Sequence, residues 1–299
     1  GALMAHSSDA LCSHSTGVAY EPGCDTRAVE ALVLEWCGGD KAVASHMWHM
    51  VGYTITGEAS ARMLAWLHGP PGTAKSSFID LMSAAMGDYA CRVPASTWLH
   101  ARNKSVDGIR RTRGRRLVTS SELEGGAWDK DALLAFCGGE DEVAAEAKYK
   151  SLIAWKQRCK LWLASNTSPP DAGSALVSRM HVLPFHKQYE PDAKFKRDLA
   201  DNHAVAFLAV GVRFAQVYLA SGQLPTPPKA MIAALAVTVP DEFSDWLAGL
   251  ASDEDGCTVS AMALYTAWRN HSGGARPDNP TSFGRKMADY SHTYPKTRQ

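Results

Sequence analysis

The chain has 299 residues, with 31 Lys plus Arg against 31 Asp plus Glu, 45% hydrophobic residues and 21% charged residues, and its mean hydropathy is -0.21. That composition excludes a collagen, a coiled coil and wholesale disorder, and the zero net charge demands no polyanionic partner. At roughly 100–200 residues per domain, the length fits one large domain with an appendage, or two domains.

Gly1 to Ala5 lacks a basic segment followed by an apolar core and reads as the remnant of a cleaved tag. Residues 6–24 are rich in Ser, Gly and Cys without an apolar period, so 1–24 is expected to be a loose leader. From Asp25 to Gly57, Val29, Leu32, Val33 and Trp36, then Val43, Met47 and Met50, recur at helical spacing around Gly38 and Gly39. They predict a small N-terminal helical segment over 25–57. His46 and His49 lie three apart on that pattern, and with no further ligand nearby an ordinary polar or core role is expected.

Short apolar runs then recur at Met63 to Leu67, Leu117-Val118, Leu161 to Ala164 and Val182-Leu183, separated by helical or turn-forming segments. Alternation of this kind predicts an α/β core over 58–188 with a parallel sheet covered by helices. After Pro184 the pattern is helical, clearest over Ala204 to Leu219, so 189–230 is expected as a helical lid and linker. It ends in the rigid break Gln223 to Pro228. Phe243, Trp246, Leu247 and Leu250, then Met262, Leu264, Tyr265 and Trp268, predict a compact C-terminal module over 231–299. The nine Trp residues follow apolar faces and are expected mainly as packing residues. The longest apolar stretches, Ala204 to Val212 and Met231 to Val239, fall short of the ~20 residues that cross a bilayer, so no membrane partner is expected. Seven scattered cysteines without a Cys-x-x-Cys pair argue against a disulfide framework or a zinc site and favour a reducing cytoplasm.

The strongest chemical signal is Gly69-Pro70-Pro71-Gly72-Thr73-Ala74-Lys75-Ser76, set between a predicted strand and a predicted helix. A phosphate-binding loop has that placement: backbone N–H groups cradle phosphates at a helix N-terminus, Lys75 reaches the β and γ phosphates, and Ser76 holds magnesium. The pattern has glycine where this chain has Ala74; a methyl group is tolerated at negative φ and costly in a left-handed conformation. A strand over Arg116 to Ser121 delivers Glu122 to the mouth of the sheet beside the phosphates, as a candidate catalytic acid and metal ligand. Glu124 is either a second acid or a solvated loop residue. Lys160 to Ser165 is another strand, ending in Asn166, which either orients water or serves as a turn residue before Pro169-Pro170. Arg179 precedes Met180 to Phe185 and is ambiguous by itself. The stretch from Arg102 to Arg116 holds Arg102, Lys104, Arg110, Arg111, Arg113, Arg115 and Arg116 against Asp107 alone. It reads as a phosphate-contacting patch, a solvated face or a subunit interface. Lys156, Arg158 and Lys160 read as edge-strand gatekeepers.

Taken in order, Gly-x-x-x-x-Ala-Lys-Ser, Arg-Leu-Val-x-x-Ser-Glu, Gly138-Gly139-Glu140-Asp141, Leu-Trp-Leu-Ala-Ser-Asn-x-x-Pro-Pro and Arg-x-x-x-Leu-Pro-Phe resemble the superfamily 3 helicase domain of phage and plasmid primase-helicases. Gly39-Asp40 leading to Gly57 is similar to the helical segment before the ATPase core of that family, and Tyr265-x-x-Trp268 to its C-terminal winged-helix module. The resemblance implies an AAA+-like P-loop ATPase, commonly a hexameric ring, which hydrolyses ATP with Mg2+ between subunits and moves along single-stranded DNA to unwind a fork. It makes Glu122 the catalytic acid, Asn166 the sensor amide and Arg179 an arginine finger. Lys148 and Lys150 become DNA contacts on the family's pore hairpin, with Tyr149 on the other face. A primase or other replication protein is an implied partner, and the cytoplasm of a bacterial host the implied location. Leu134 and Glu146 stand where the family carries a lysine and an arginine. Those two positions and Ala74 motivate a second reading, a nucleotide-gated DNA-binding or assembly module without unwinding activity. An AAA+ remodeller acting on protein is the third.

Overall fold

The computed structural model describes residues 4–5, 7, 9, 12–99, 107–121, 128–138, 142–145, 153–166, 173–238, 246, 259–271, 280, 283–284 and 287. Two helices come first, α1 (Arg27–Trp36) and α2 (Lys41–Thr56). Asp40 caps α2, its carboxylate accepting from the N–H groups of Ala42 (2.8 Å) and Val43 (3.1 Å), which satisfies two donors that the first turn leaves open. Gly57, with φ 74°, ends it in the left-handed conformation.

The four apolar runs are four parallel strands. β1 (Leu64–His68) leads into α3 (Lys75–Met86); β2 (Ala90–Arg92) follows, then α4 (Asp107–Arg110), β3 (Leu117–Ser121) and α5 (Lys130–Cys137). An antiparallel pair, β4 (Glu142–Ala145) and β5 (Ile153–Lys156), precedes β6 (Lys160–Ser165). After α6 (Gly173–Val177) and β7 (Met180–Pro184), the chain turns into α7 (Ala193–Ser221) and α8 (Lys229–Thr238). The sheet order is β2-β3-β6-β1-β7, all parallel. In such a sheet both faces are covered, so β6 is buried at every position and β1 at all but its last. On one face Ala65, Leu67 and Trp162 meet Phe78, Phe185 and Phe207. On the other, Leu64, Trp66, Leu161 and Leu163 meet Trp98, Leu133 and Phe136. The chain is therefore a mixed α/β protein with a P-loop-like core.

β2 is new relative to the sequence reading. It is three residues long and contains Arg92, whose guanidinium is exposed and bonded to Asp80 (2.9 Å), so it carries no apolar run to detect. Lys160 differs from expectation as well. β6 lies between β3 and β1, not at an edge, and the Lys160 ammonium sits 4.3 Å over the Tyr53 ring. Burial pushes it down to about 7, so it is no gatekeeper.

Residues 14–24 are not loose. The Gly17 N–H donates to the Ala85 carbonyl (3.2 Å), the Ser15 hydroxyl to Asp88 (3.2 Å), and Val18, Tyr20 and Cys24 pack on the main core. α7 is long and apolar enough to cross a bilayer by composition, but half of that stretch is buried in the protein. Its inner face packs on α2 and α3. The close approach to α2 needs Gly52, because a Cβ there would stand 2.4 Å from the Phe214 backbone. The compact unit containing all these elements ends at Val239, beyond the proline-rich stretch 223–228, since α8 returns to pack on β7 with Met231 buried. The second unit, 240–299, has α9 (Ala261–His271) and a small core in which Trp246 and Trp268 lie 5.2 Å apart and Tyr265 meets Phe283 edge-on. Tyr265 and Trp268, which carry the winged-helix resemblance, both lie on α9, while most other residues of 231–299 lie outside the described ones.

One buried polar contact has a pH consequence. His46 of α2 and His181 of β7 stack at 5.1 Å with Nε2 and Nδ1 2.9 Å apart. Burial pushes His46 down to about 3 and His181 to about 4. Both values lie below the unfolded 6.5, so the stability they contribute is complete above pH 6.5 and falls between there and about pH 4 as the unfolded chain takes up protons. Urea midpoints should be level from pH 8 to 7, and stability should drop by roughly 4 kcal/mol at pH 5, about half from each histidine, and His46→Gln should remove its share of that drop. A wild-type midpoint that ignores pH across this window refutes the expectation.

Candidate nucleotide-binding site

The loop between β1 and α3 wraps around its own lysine. Lys75 is 7% exposed, and its ammonium donates to the carbonyls of Gly69 (2.6 Å) and Pro70 (2.7 Å) and to the Thr73 hydroxyl (3.2 Å). The Thr73 hydroxyl in turn donates to the Pro70 carbonyl (2.9 Å). Desolvation lowers the Lys75 pKa. Gly69 is required by a close approach: a Cβ there would stand 1.9 Å from the Phe185 carbonyl oxygen. The chain beyond β7 is then stitched along the loop, with the Phe185 N–H on the His68 carbonyl (2.7 Å) and the Tyr189 N–H on the Gly72 carbonyl (2.9 Å).

Above the loop lies a cavity of about 720 Å³. Residues 71–77 form its floor, and Ser121 and Asn166, at the carboxyl ends of β3 and β6, reach it from the sheet. Open α/β sheets bind ligands at that edge. The register explains the convergence: Ser121 pairs with Ala164, and Ser165, just before Asn166, pairs with His68, just before Gly69. The exposed Ser76 sits in the first turn of α3, whose N-terminal dipole favours an anion. The donors present, an ammonium, the N–H groups of a helix start and a serine hydroxyl, fit a magnesium-bound polyphosphate. Glu122 directly follows Ser121 but lies outside the described residues, as do Glu124, Glu140, Asp141, Glu146, Lys148 and Lys150.

The opposite wall has no counterpart in the motifs. Leu32, Glu35 and Trp36 of α1, Tyr189 to Asp192, and Phe195 and Lys196 of α7 close it. Glu35 is held below its usual value, chiefly by the Lys187 ammonium bonded to it at 2.5 Å. Burial, and then the Glu35 charge, push the Tyr189 phenol up to about 12, and its buried hydroxyl has no hydrogen bond of good geometry. These side chains come from segments some 150 residues apart, and the only signal for them was the helical spacing of Val29, Leu32, Val33 and Trp36 in α1.

Ala74 is the N-cap of α3 and has φ 68°, ψ 8°. The left-handed conformation costs a residue with a Cβ about 1–2 kcal/mol, and glycine adopts it freely. Ala74→Gly is therefore expected to raise stability by about 1 kcal/mol in urea unfolding. A loss would mean that the methyl group's packing on the main core outweighs the strain.

Arg179 lies at the other end of the sheet. Its carbonyl accepts from Leu64 N–H (2.8 Å) at the start of β1, and its guanidinium donates to the Leu134 carbonyl of α5 (2.8 Å). It is not beside the loop of its own chain. His49 bonds the Ser45 carbonyl (2.8 Å) and meets the Phe214 ring edge-on at 4.7 Å, and no group of three or more His, Cys, Asp or Glu able to hold a metal occurs among the described residues.

The sequence profile of DUF5906, a family of unknown function, matches residues 67–179, from the end of β1 to Arg179. No curated protein matches the sequence. Among solved structures, the A form of the apo NrS-1 C-terminal region is 15% identical, with a TM-score of 0.56, over 76% of this chain and 55% of that one. The apo NrS-1 C-terminal region (305-718) is 14% identical, with a TM-score of 0.55 and the same coverages. This chain thus spans about half the length of those structures. At such identity the likeness is one of fold.

Proposed function

We propose that the chain is the ATP-hydrolysing motor of a superfamily 3 type DNA helicase serving replication of a phage, plasmid or mobile element. The carrying observation is the cavity of about 720 Å³ that joins the Lys75 loop to the carboxyl ends of β3 and β6. In this reading Gly69 to Ser76 wrap the triphosphate, and Lys75 exchanges its carbonyl partners for phosphate oxygens, a charge-assisted and therefore stronger bond. Ser76 and Glu122 hold Mg2+, which neutralises charge developing on the phosphates. Glu122 takes the proton of the attacking water and Asn166 orients that water. Arg179 serves a neighbour's site in a ring, which the family resemblance makes hexameric. Lys148 and Lys150 contact single-stranded DNA, and a primase or other replication protein acts beside the ring in a bacterial host's cytoplasm.

The strain at Ala74 supports a second reading, a nucleotide-gated DNA-binding or assembly module without unwinding, because a stiffened loop slows cycling. A forked DNA with a labelled strand separates the two. Displacement that requires hydrolysable ATP and Mg2+ supports the motor. Nucleotide binding without displacement by an assembled ring supports the module, and an absence of nucleotide binding overturns both.

A further inference from the structure

The arginines before β3 divide into two groups. Arg116 donates to the Ile55 carbonyl (2.5 Å) and lies 4.4 Å over the Tyr89 ring, and Arg115 donates to the Asp88 carbonyl, so both are tied into the fold. Arg111 and Arg113 are exposed, and no ion pair to either occurs among the described residues. Between them Thr112 is 0% exposed, donating to the Ile109 carbonyl (2.7 Å) and accepting from the side-chain amide of Gln157 (3.2 Å). Gln157, 2% exposed, follows β5 directly, and its amide oxygen accepts from the Arg158 N–H (3.2 Å) and the Cys159 thiol (2.9 Å). The Lys160 N–H then donates to the Arg116 carbonyl (2.8 Å), where the β3–β6 ladder begins.

A buried amide–hydroxyl bond thus bolts the exit of the β4–β5 pair to the arginine turn. It holds together the backbone that carries three exposed arginines, Arg111, Arg113 and Arg158, each one residue from the bond and so within about 3.8 Å, Cα to Cα, of a residue that makes it. Lys156 stands opposite Glu142 in the ladder and does not join the set. Thr112 and Gln157 turn inward, and the residues beside them, Arg111, Arg113 and Arg158, are exposed. Arginine forks match phosphate oxygens, and three so close together cover two or three consecutive phosphates of one strand rather than the breadth of a duplex.

We infer that Arg111, Arg113 and Arg158 form a phosphate-contacting surface for single-stranded nucleic acid. The inference deepens the motor reading by adding a contact separate from Lys148 and Lys150. The surface also lies at the opposite end of the sheet from the nucleotide cavity. The arginine turn runs into the first residue of β3 and the Gln157 segment into the first of β6, while Ser121 and Asn166 meet the cavity at the far ends of the same two strands. The two strands β3 and β6 thus run from this surface to the nucleotide cavity.

The test is fluorescence anisotropy of the full chain with a labelled single-stranded oligonucleotide and with a blunt duplex, without nucleotide, across a salt series. For single strands the slope of log affinity against log salt falls by about 0.7 per neutralised phosphate. Arg111→Ala/Arg113→Ala/Arg158→Ala should flatten the slope by about 2 and weaken single-strand binding at low salt by at least tenfold. The triple Arg→Lys variant should retain the slope, which guards against misfolding as the cause. An unchanged slope in the alanine variant overturns the inference. So does tighter binding of the duplex than of the single strand, or a change in assembly mass with unaltered affinity, which would assign the surface to a subunit contact. Because no nucleotide is present, failure of ATP hydrolysis would strike the motor reading alone.

Discussion

Lys75→Ala is expected to cut ATP turnover by on the order of 10²–10³-fold while leaving the fold intact. The ammonium is the one charged donor whose position is dictated by the loop itself. It is 7% exposed, enclosed by Gly69, Pro70 and Thr73, and burial already lowers its pKa, so an arriving polyanion meets a cation with little water to shed. Truncation leaves two carbonyls without that donor, but they border a cavity of about 720 Å³, where water can replace it. Stability should therefore fall by about 1 kcal/mol, far less than the activity loss implies. Phosphate release and urea unfolding measured on one preparation decide the matter. Turnover within tenfold of wild type would move the reacting centre elsewhere, and a collapsed unfolding midpoint would make Lys75 a structural tie.

The loop was legible in the sequence because its requirements are local: a strand that stops, glycines for close approach, and a lysine at a helix start. The four longer sheet strands were legible for a related reason: each is largely buried and carries at least two consecutive apolar residues, a full run in β1 and β6 and only Leu117-Val118 in β3 and Val182-Leu183 in β7. What was hidden is whatever depends on partners distant in the chain. Trp36 and Phe195 close one cavity wall from either end of the first unit, and no local pattern pairs them. His46 and His181 are separated by 135 positions, so the sequence offered His49 as a neighbour instead. Ala74 shows a different limit. Residue type alone left the sign of φ open, and the structure fixes it at 68° because the chain must reverse into α3 directly after Gly72 and Thr73. The arginine stretch was visible as charge, but its division into anchored and outward-facing members follows from Tyr89, Ile55, Asp88 and Gln157, none of them adjacent to it.

The largest expected effect belongs to Arg179. Its backbone is level with Leu64, and β1 then runs four residues to His68 before the loop begins, a span of roughly 13 Å at ~3.3 Å per residue. An arginine side chain does not bridge that distance, and this one already points to the Leu134 carbonyl. If Arg179 acts on a triphosphate, it acts on a neighbour's, and Arg179→Ala should lower turnover by on the order of 10³-fold or more. Losing the bond to Leu134 accounts for only about 1 kcal/mol of stability, so a matching loss in urea with turnover preserved would show that the bond to α5 is its whole role. A mixing experiment makes the distinction sharper. Lys75→Ala and Arg179→Ala are each inactive, but in a mixed assembly some interfaces carry an intact Lys75 on one subunit and an intact Arg179 on the next. Turnover should reappear on mixing after subunit exchange and should peak near equal proportions. If the mixture stays as inactive as its components while its assembled mass is normal, Arg179 does not reach across the interface, and the site must be completed by another cation.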